Sequence, residues 1–435
     1  MLTFLGFAMV ITFMYLIMTK RLSALIALIL VPILFALFGG FYSHIGPMML
    51  EGISKLAPTG VMLMFAILYF ALMIDSGLFD PAVRKILKLV KGDPLKVSVG
   101  TAALALVVSL DGDGATTYMI CCAAMLPLYS RLGMSPRIMA GLIILAGGVM
   151  NMTPWGGPTA RAASALHVDP SDIFVPMIPA MVFGVLAILG IAYMYGKRER
   201  ARLGELHLPT DDIDHSEISV SQFPEARRPK LIWFNGALTA ALMVALIAGA
   251  LPLPVLFMIA FSIAMIVNYP CLQQQKDRIA AHAGSVLAVT GLIFAAGIFT
   301  GILSGTGMVE AMSKSLLSVI PEALGPYLAV ITAIVSMPFT FFMSNDAFYY
   351  GVLPVLSEAA SHYGISPVEM ARASIVGQPV HLLSPLVPST YLLVALAGIE
   401  FGDHQRFTLK WAVLVCLCIM LAALLMGIFP LFSSL

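Results

Sequence analysis

Asp111 and Asp113, with Gly112, Gly114, Thr116 and Thr117, lie in a polar interruption (Ser109 to Tyr118) between the apolar runs 97–108 and 119–128. A second interruption, Ser344-Asn345-Asp346, places its serine 231 positions after Asp113. Carboxylates at membrane depth cost about 2.5–3.5 kcal/mol each, so they are kept there by protein partners and by function. Asp111, Asp113 and Asp346 suit two chemistries: carrying protons, because desolvation raises a carboxyl pKa, or contacting a hard divalent cation through oxygen. Turns capped by Asp and Thr are the structural alternative. Asp-Gly-Asp-Gly superficially resembles a calcium loop, but no downstream Glu completes it.

Two further interruptions carry paired prolines. The first runs Asn151-Met152-Thr153-Pro154-Trp155-Gly156-Gly157-Pro158-Thr159, the second Leu383-Ser384-Pro385-Leu386-Val387-Pro388-Ser389-Thr390. Each frees backbone amides at the start of the half-helix that follows, where the dipole favours an anion. Each also frees carbonyls that suit a cation. Asn151, Thr153, Gly156, Gly157, Thr159, Ser344, Asn345, Ser384, Ser389 and Thr390 are therefore candidate substrate-binding residues. Arg161 either clamps a carboxylate in bidentate fashion or snorkels at the outer membrane interface. His381 is a candidate proton relay or, as the better-supported alternative, a packed or capping histidine. Asp75 and Glu51 read as interfacial residues at helix ends.

The elements that position these residues follow from composition. The chain has 435 residues, 60% hydrophobic and only 11% charged, with mean hydropathy +0.97. Soluble domains carry about 25% charged residues, so this is an all-α polytopic membrane protein. The net charge of +1 says nothing about nucleic acid, but no basic cluster is interleaved with aromatics, so nucleic acid is not expected as a partner. No nucleophile–base or metal-ligand spacing supports an enzyme. The five cysteines, at 121, 122, 271, 416 and 418, show neither zinc spacing nor a disulfide framework, and read as packing residues. The run 2–18 precedes Lys20-Arg21, the reverse of a signal peptide's order, and reads as a first span.

Spans are expected at 2–18, 22–43, 57–76, a broken helix at 137–167, then 173–195; after a polar linker, 196–230, come 231–250, 252–270, 284–305, a broken helix at 368–400, and 407–432. The stretch 97–130 as one helix would reach about 50 Å, far beyond a ~30 Å hydrocarbon core. Lys96 and Arg131 flank it, and positive residues prefer the cytoplasmic side, so it reads as a re-entrant hairpin. The equivalent hairpin is 326–357. Runs 79–91 and 309–319 suit helices at the membrane interface or in a cytoplasmic loop. With the linker cytoplasmic and both termini outside, all 24 Lys and Arg but Lys55, Arg161, Lys314 and Arg372 face the cytoplasm.

The same lines mark an internal repeat, 1–195 against 231–435. Gly133-Met134-Ser135-Pro136 matches Gly364-Ile365-Ser366-Pro367, and Tyr118 meets Tyr349, Pro154 meets Pro385 and Thr159 meets Thr390. Five crossings per half invert the second copy. Inverted repeats with broken helices place a substrate near the midplane between them.

Ser109-Leu110-Asp111-Gly112-Asp113-Gly114, Met125-Leu126-Pro127-Leu128-Tyr129 and above all Ala146 through Ala163, with its Pro-Trp-Gly-Gly-Pro-Thr-Ala-Arg run, resemble the CitMHS family. These are bacterial metal-citrate:proton symporters of the ion transporter superfamily. The resemblance implies a secondary transporter in the bacterial inner membrane that imports citrate complexed with a divalent cation such as Mg or Ca, driven by protons. It implies no cofactor beyond that cation, and it implies a homodimer working by an elevator motion. Dicarboxylate members of the superfamily carry Ser-Asn-Thr at both hairpin tips. Here Asp346 replaces one threonine and the other tip is rebuilt around Asp111 and Asp113, which favours protons over sodium. The alternatives are a sodium-coupled di- or tricarboxylate carrier and a sodium/proton antiporter.

Overall fold

The computed structural model describes residues 1–90, 92–112, 114–204, 223–318 and 321–433. Every regular element among them is helical. Helices α1 (Leu2–Met18), α2 (Ala24–Phe38) and α3 (Ile45–Ser76) precede the short amphipathic α4 (Asp80–Val90). Then come α5 (Pro94–Val108), α6 (Gly114–Leu132), α7 (Pro136–Met150), α8 (Gly157–Leu166) and α9 (Pro170–Leu203). The second half holds α10 (Ile232–Ile247), α11 (Leu253–Asn268), α12 (Leu272–Gly305), α13 (Met308–Leu317) and α14 (Leu328–Phe342). It ends with α15 (Leu353–Ser361), α16 (Pro367–Ser374), α17 (Gln378–His381), α18 (Pro388–Ala397) and α19 (Phe401–Leu425).

Several of these helices, including α3, α9, α12 and α19, are long and apolar enough to cross a membrane. Several outrun their expected spans, α12 by beginning at Leu272 rather than at 284. α3 begins at Ile45, so Glu51 lies inside the helix, paired with Lys55 one turn on, rather than at its end. α9 continues to Leu203 because nothing breaks it before Gly204, whose φ of +78° suits glycine. The linker's first residues are thus helical, while its acidic stretch at 211–214 lies outside the described residues.

The apolar side chains pack into two main groups. One comprises α1–α3 and α10–α13, around Phe13, Tyr69, Phe257 and Phe299. The other comprises α5–α7, α9 and α14–α19, around Tyr129, Ile143, Phe348 and Ile419. In the first group α3 and α12 touch through glycines. A Cβ on Gly52 would sit 2.0 Å from the Gly297 carbonyl oxygen, and one on Gly301 would sit 2.4 Å from that of Met48. Small residues let helix backbones approach where lipid supplies no hydrophobic drive.

Asp75, at the end of α3, is buried within the protein. Its Oδ2 accepts from Arg278 Nη1 at 3.2 Å and lies 2.8 Å from His282 Nε2, both on the first turns of α12. Nearby, Asn235 and Asn268 exchange amide hydrogen bonds, and Asn235 also donates to Ser76. The returning linker joins this face through Arg227 with Asp80 and the Arg228 amide on the Ser76 carbonyl.

Candidate functional site

Four chain interruptions meet where the two packing groups abut. α7 ends at Met150, and the chain turns through 151–156 before α8 begins. Gly156 closes that turn: its amide donates to the Thr153 carbonyl at 2.8 Å, and a Cβ there would fall 2.0 Å from the Asn151 oxygen. Thr159 Oγ1 donates back to the Met152 carbonyl at 3.0 Å. The second break, 382–387, uses the same device, with Thr390 Oγ1 donating to the Leu382 carbonyl. Both threonine protons are therefore engaged within the breaks, leaving each hydroxyl as an acceptor. Ser384 Oγ likewise donates to Phe341 O at 2.6 Å, which ties the second break to the end of α14.

Each break also meets the tip in the other half of the chain. Arg161, on α8, donates through Nε to Asp346 Oδ1 at 2.6 Å and through Nη1 to the Gly157 carbonyl at 3.1 Å. Arg161 is thus paired inside the protein rather than snorkelling. Gly114, at the start of α6, lies against Ser389, since a Cβ there would sit 3.4 Å from Ser389 Oγ. Within the first half, Trp155 Nε1 donates to Leu110 O at 2.9 Å, and its ring packs on Phe70 and Phe257, centroids 4.9 and 5.4 Å away. Gly112, with φ +78°, passes under that indole at a distance that would put a Cβ 3.1 Å from Trp155 Cδ1. Trp155 and Tyr350 are the large side chains that the site inserts into the first packing group.

At the second tip, Ser344 Oγ accepts from the Ala347 amide at 3.2 Å, and residues 347–352 form a π-helical turn, wider than an α turn, before α15. Such turns inside helices frequently mark functional sites. Asn345 Oδ1 and Thr153 Oγ1 are buried with no hydrogen-bond partner among the described residues. Asp113 and the Asp111 side chain, two of the three candidate proton or cation carboxylates, lie outside the described residues. Among the described residues no three His, Cys, Asp or Glu side chains converge as a metal site. His381 is buried with Nδ1 2.7 Å from the Thr340 carbonyl, the packed alternative.

One contributor escaped the sequence reading. Gln378, fully buried on α17, accepts from Asn151 Nδ2 at 3.3 Å and donates to Tyr349 Oη at 3.0 Å. An amide inside an apolar run beside Pro379 was the available signal.

Residues 13–377 match the CitMHS family, described as citrate transporter. The chain belongs to the CitMHS family. Among its relatives, a protein of Bacillus subtilis (strain 168) named citrate transporter is 62% identical over 98% of this chain and 99% of its own. A second protein of that strain, named Mg(2+)/citrate complex secondary transporter, is 57% identical over the same shares. The solved structure of Neisseria gonorrhoeae MtrF, assigned to a class of antimetabolite efflux pumps, covers 89% of this chain and 84% of its own with TM-score 0.58 at 15% identity. That likeness is one of fold. This CitMHS chain is a multi-pass membrane transporter, not an enzyme.

Proposed function

We propose that the protein imports citrate complexed with a divalent cation, coupled to protons, and that the complex binds among the two tips and the two breaks. The observation that carries this reading is the pairing of Arg161 with Asp346. It places a cation suited to carboxylate beside an acid able to take a proton, at the meeting of the two halves. Arg161 is about one-fifth exposed and Asp346 slightly less. A citrate carboxylate competes with Asp346 for the guanidinium, and a proton on Asp346 releases it. Proton uptake and anion binding then favour each other, which is the requirement for symport. Asp111 and Asp113 supply further oxygens for the cation or the protons. The amides after Pro158 and Pro388, at the N-termini of α8 and α18, suit the remaining carboxylates.

A divalent cation on trivalent citrate leaves one net negative charge, so two or more protons move net positive charge inward. In this reading the halves are inverted repeats, with α5–α6 and α14–α15 as re-entrant hairpins. The group built on α1–α3 and α10–α13 is the scaffold of a homodimer, and the other group moves against it as an elevator. The protein sits in the bacterial inner membrane with both termini outside.

The test is uptake of labelled citrate by proteoliposomes under an imposed pH gradient, without metal and with Mg, Ca or Zn, each with and without sodium. Uptake that needs a divalent cation and inward protons and ignores sodium is expected. Sodium-driven uptake of free citrate would overturn the metal and proton assignments, and proton–sodium exchange without citrate uptake would overturn the substrate.

A further inference from the structure

A directed chain of hydrogen bonds runs from the first break into the second half of the protein. Tyr349 Oη donates to the Ser374 carbonyl at 3.3 Å, and a carbonyl can only accept. Tyr349 has one proton, so it must accept from the Gln378 Nε2 amide at 3.0 Å. That turns Gln378 Oε1 toward Asn151, which in turn must donate its own Nδ2 at 3.3 Å. Tyr349, Gln378 and Ser374 are fully buried, so no water competes for the direction. The Asn151 amide is thereby locked. One of its two N–H donors is engaged, and no donor among the described residues reaches Oδ1, which is left as an acceptor at the break. Across the site, Asn345 Oδ1 is a buried amide oxygen in the same condition.

A carboxylate has no proton for such oxygens. We infer that Asn151, held by Gln378 and Tyr349, reads an O–H donor of the bound complex, so that Gln378 is a specificity-determining positioning residue. The inference rests on the metal–citrate reading above. That donor is either the hydroxyl of the hydroxycarboxylate or a water kept by the cation. A site built to bond a hydroxyl rejects the analogue that lacks it far more strongly than an apolar site rejects a size change, because its polar atom is left unpaired.

The experiment measures binding to the purified full chain by competition, for wild type, Gln378→Leu and Tyr349→Phe. The ligands are citrate and tricarballylate, which is citrate without its hydroxyl, each with Mg and with Ca. In Gln378→Leu the amide of Asn151 is free to turn. The citrate-over-tricarballylate preference is expected to fall about tenfold or more, with a smaller fall in Tyr349→Phe, which removes the phenol that orients Gln378. If instead the preference for Mg over Ca collapses while the hydroxyl preference holds, the donor is a water, since Mg keeps its waters more tenaciously than Ca; the positioning role stands. Equal weakening toward every ligand, with both ratios unchanged, would overturn the inference and reduce Gln378 to a packing residue. Should Gln378→Leu fail to fold, Tyr349→Phe alone decides, and unchanged ratios there overturn it as well. Failure of wild type to bind citrate with any cation would sink the proposed function instead, a separate outcome.

Discussion

Arg161 Nε and Asp346 Oδ1 lie 2.6 Å apart across 185 residues of sequence, joining the first break to the second tip. The contact ties together the two halves of the chain at the point where the interruptions of both converge. Arg161→Lys keeps the charge but loses the planar fork that holds a carboxylate and the Gly157 carbonyl together. Its apparent affinity for metal-citrate is expected to fall about tenfold or more with little change in thermal stability. Concentration-dependent uptake and a melting curve measure the two separately. Asp346→Asn is expected to bind and exchange citrate while losing the dependence on an imposed pH gradient.

Trp155 closes the first break onto the other packing group. Trp155→Phe retains a ring against Phe70 and Phe257 but drops the bond to Leu110, a loss of about 0.5–1.5 kcal/mol. Trp155→Ala removes the packing as well, at about 3–5 kcal/mol. Thermal unfolding in detergent should rank wild type, Phe and Ala in that order. An alanine variant as stable as wild type would contradict the packing described.

The α3–α12 seam predicts a sharp size limit. At Gly52 even one methyl group meets the Gly297 carbonyl at 2.0 Å, and backbone cannot yield as a flexible side chain does. Gly52→Val should therefore cost at least about 1–3 kcal/mol. The readout is loss of the monodisperse peak in gel filtration. Gly46→Val, on the same helix where nothing lies within 4 Å, is the control expected to behave as wild type.

Asp75 pairs with the Arg278 guanidinium and lies within hydrogen-bond reach of His282 in a buried position. Asp75→Ala leaves the Arg278 guanidinium, itself 11% exposed, with Glu225 at 3.7 Å as its remaining carboxylate, and is expected to be destabilising by less than the about 3–5 kcal/mol of a fully uncompensated buried charge. Asp75→Asn, which can still accept one hydrogen bond, should lose less. Chemical denaturation of the two variants gives the comparison.

Asp93 precedes α5 and ties it to α9. Burial pushes its carboxyl up, but the Arg200 guanidinium and the Leu95 amide outweigh that and hold it below the usual carboxylate value. A folded-state pKa below the unfolded one means stabilisation that is present above about pH 3.8 and lost as pH falls through the folded pKa. Asp93→Asn should lower the melting temperature at pH 7, and the gap to wild type should close as the medium is acidified below that range. A gap independent of pH would assign Asp93 a role other than its charge.

The interruptions at Asp111–Gly114, Asn151–Gly156, Ser344–Asp346 and Leu383–Val387 were all legible in the chain. Polar residues and paired prolines inside apolar runs have few tolerable positions, and a membrane helix cannot hide its broken backbone except in protein. The helices on either side of them fall close to where the apolar runs place them. Linear order also sufficed for the citrate-transporter family, because the Pro-Trp-Gly-Gly-Pro-Thr-Ala-Arg run is contiguous.

Pairings across the chain were decided only in three dimensions. From sequence, Arg161 was equally suited to a lipid interface and to a carboxylate clamp; the fold selects Asp346. The sequence places Asp75 at a helix end, and only the fold shows that α12 brings Arg278 and His282 beside it. Gln378 has little in its local sequence to mark it, since its role lies in Asn151 on one side and Tyr349 on the other. The length of each apolar run, and the polar residues, glycines and prolines that interrupt it, mark where helices run and where they break, and these are contiguous in sequence. Hydrogen-bond partners depend on which helix ends pack together and in which direction each donor points, and these the tertiary structure alone decides.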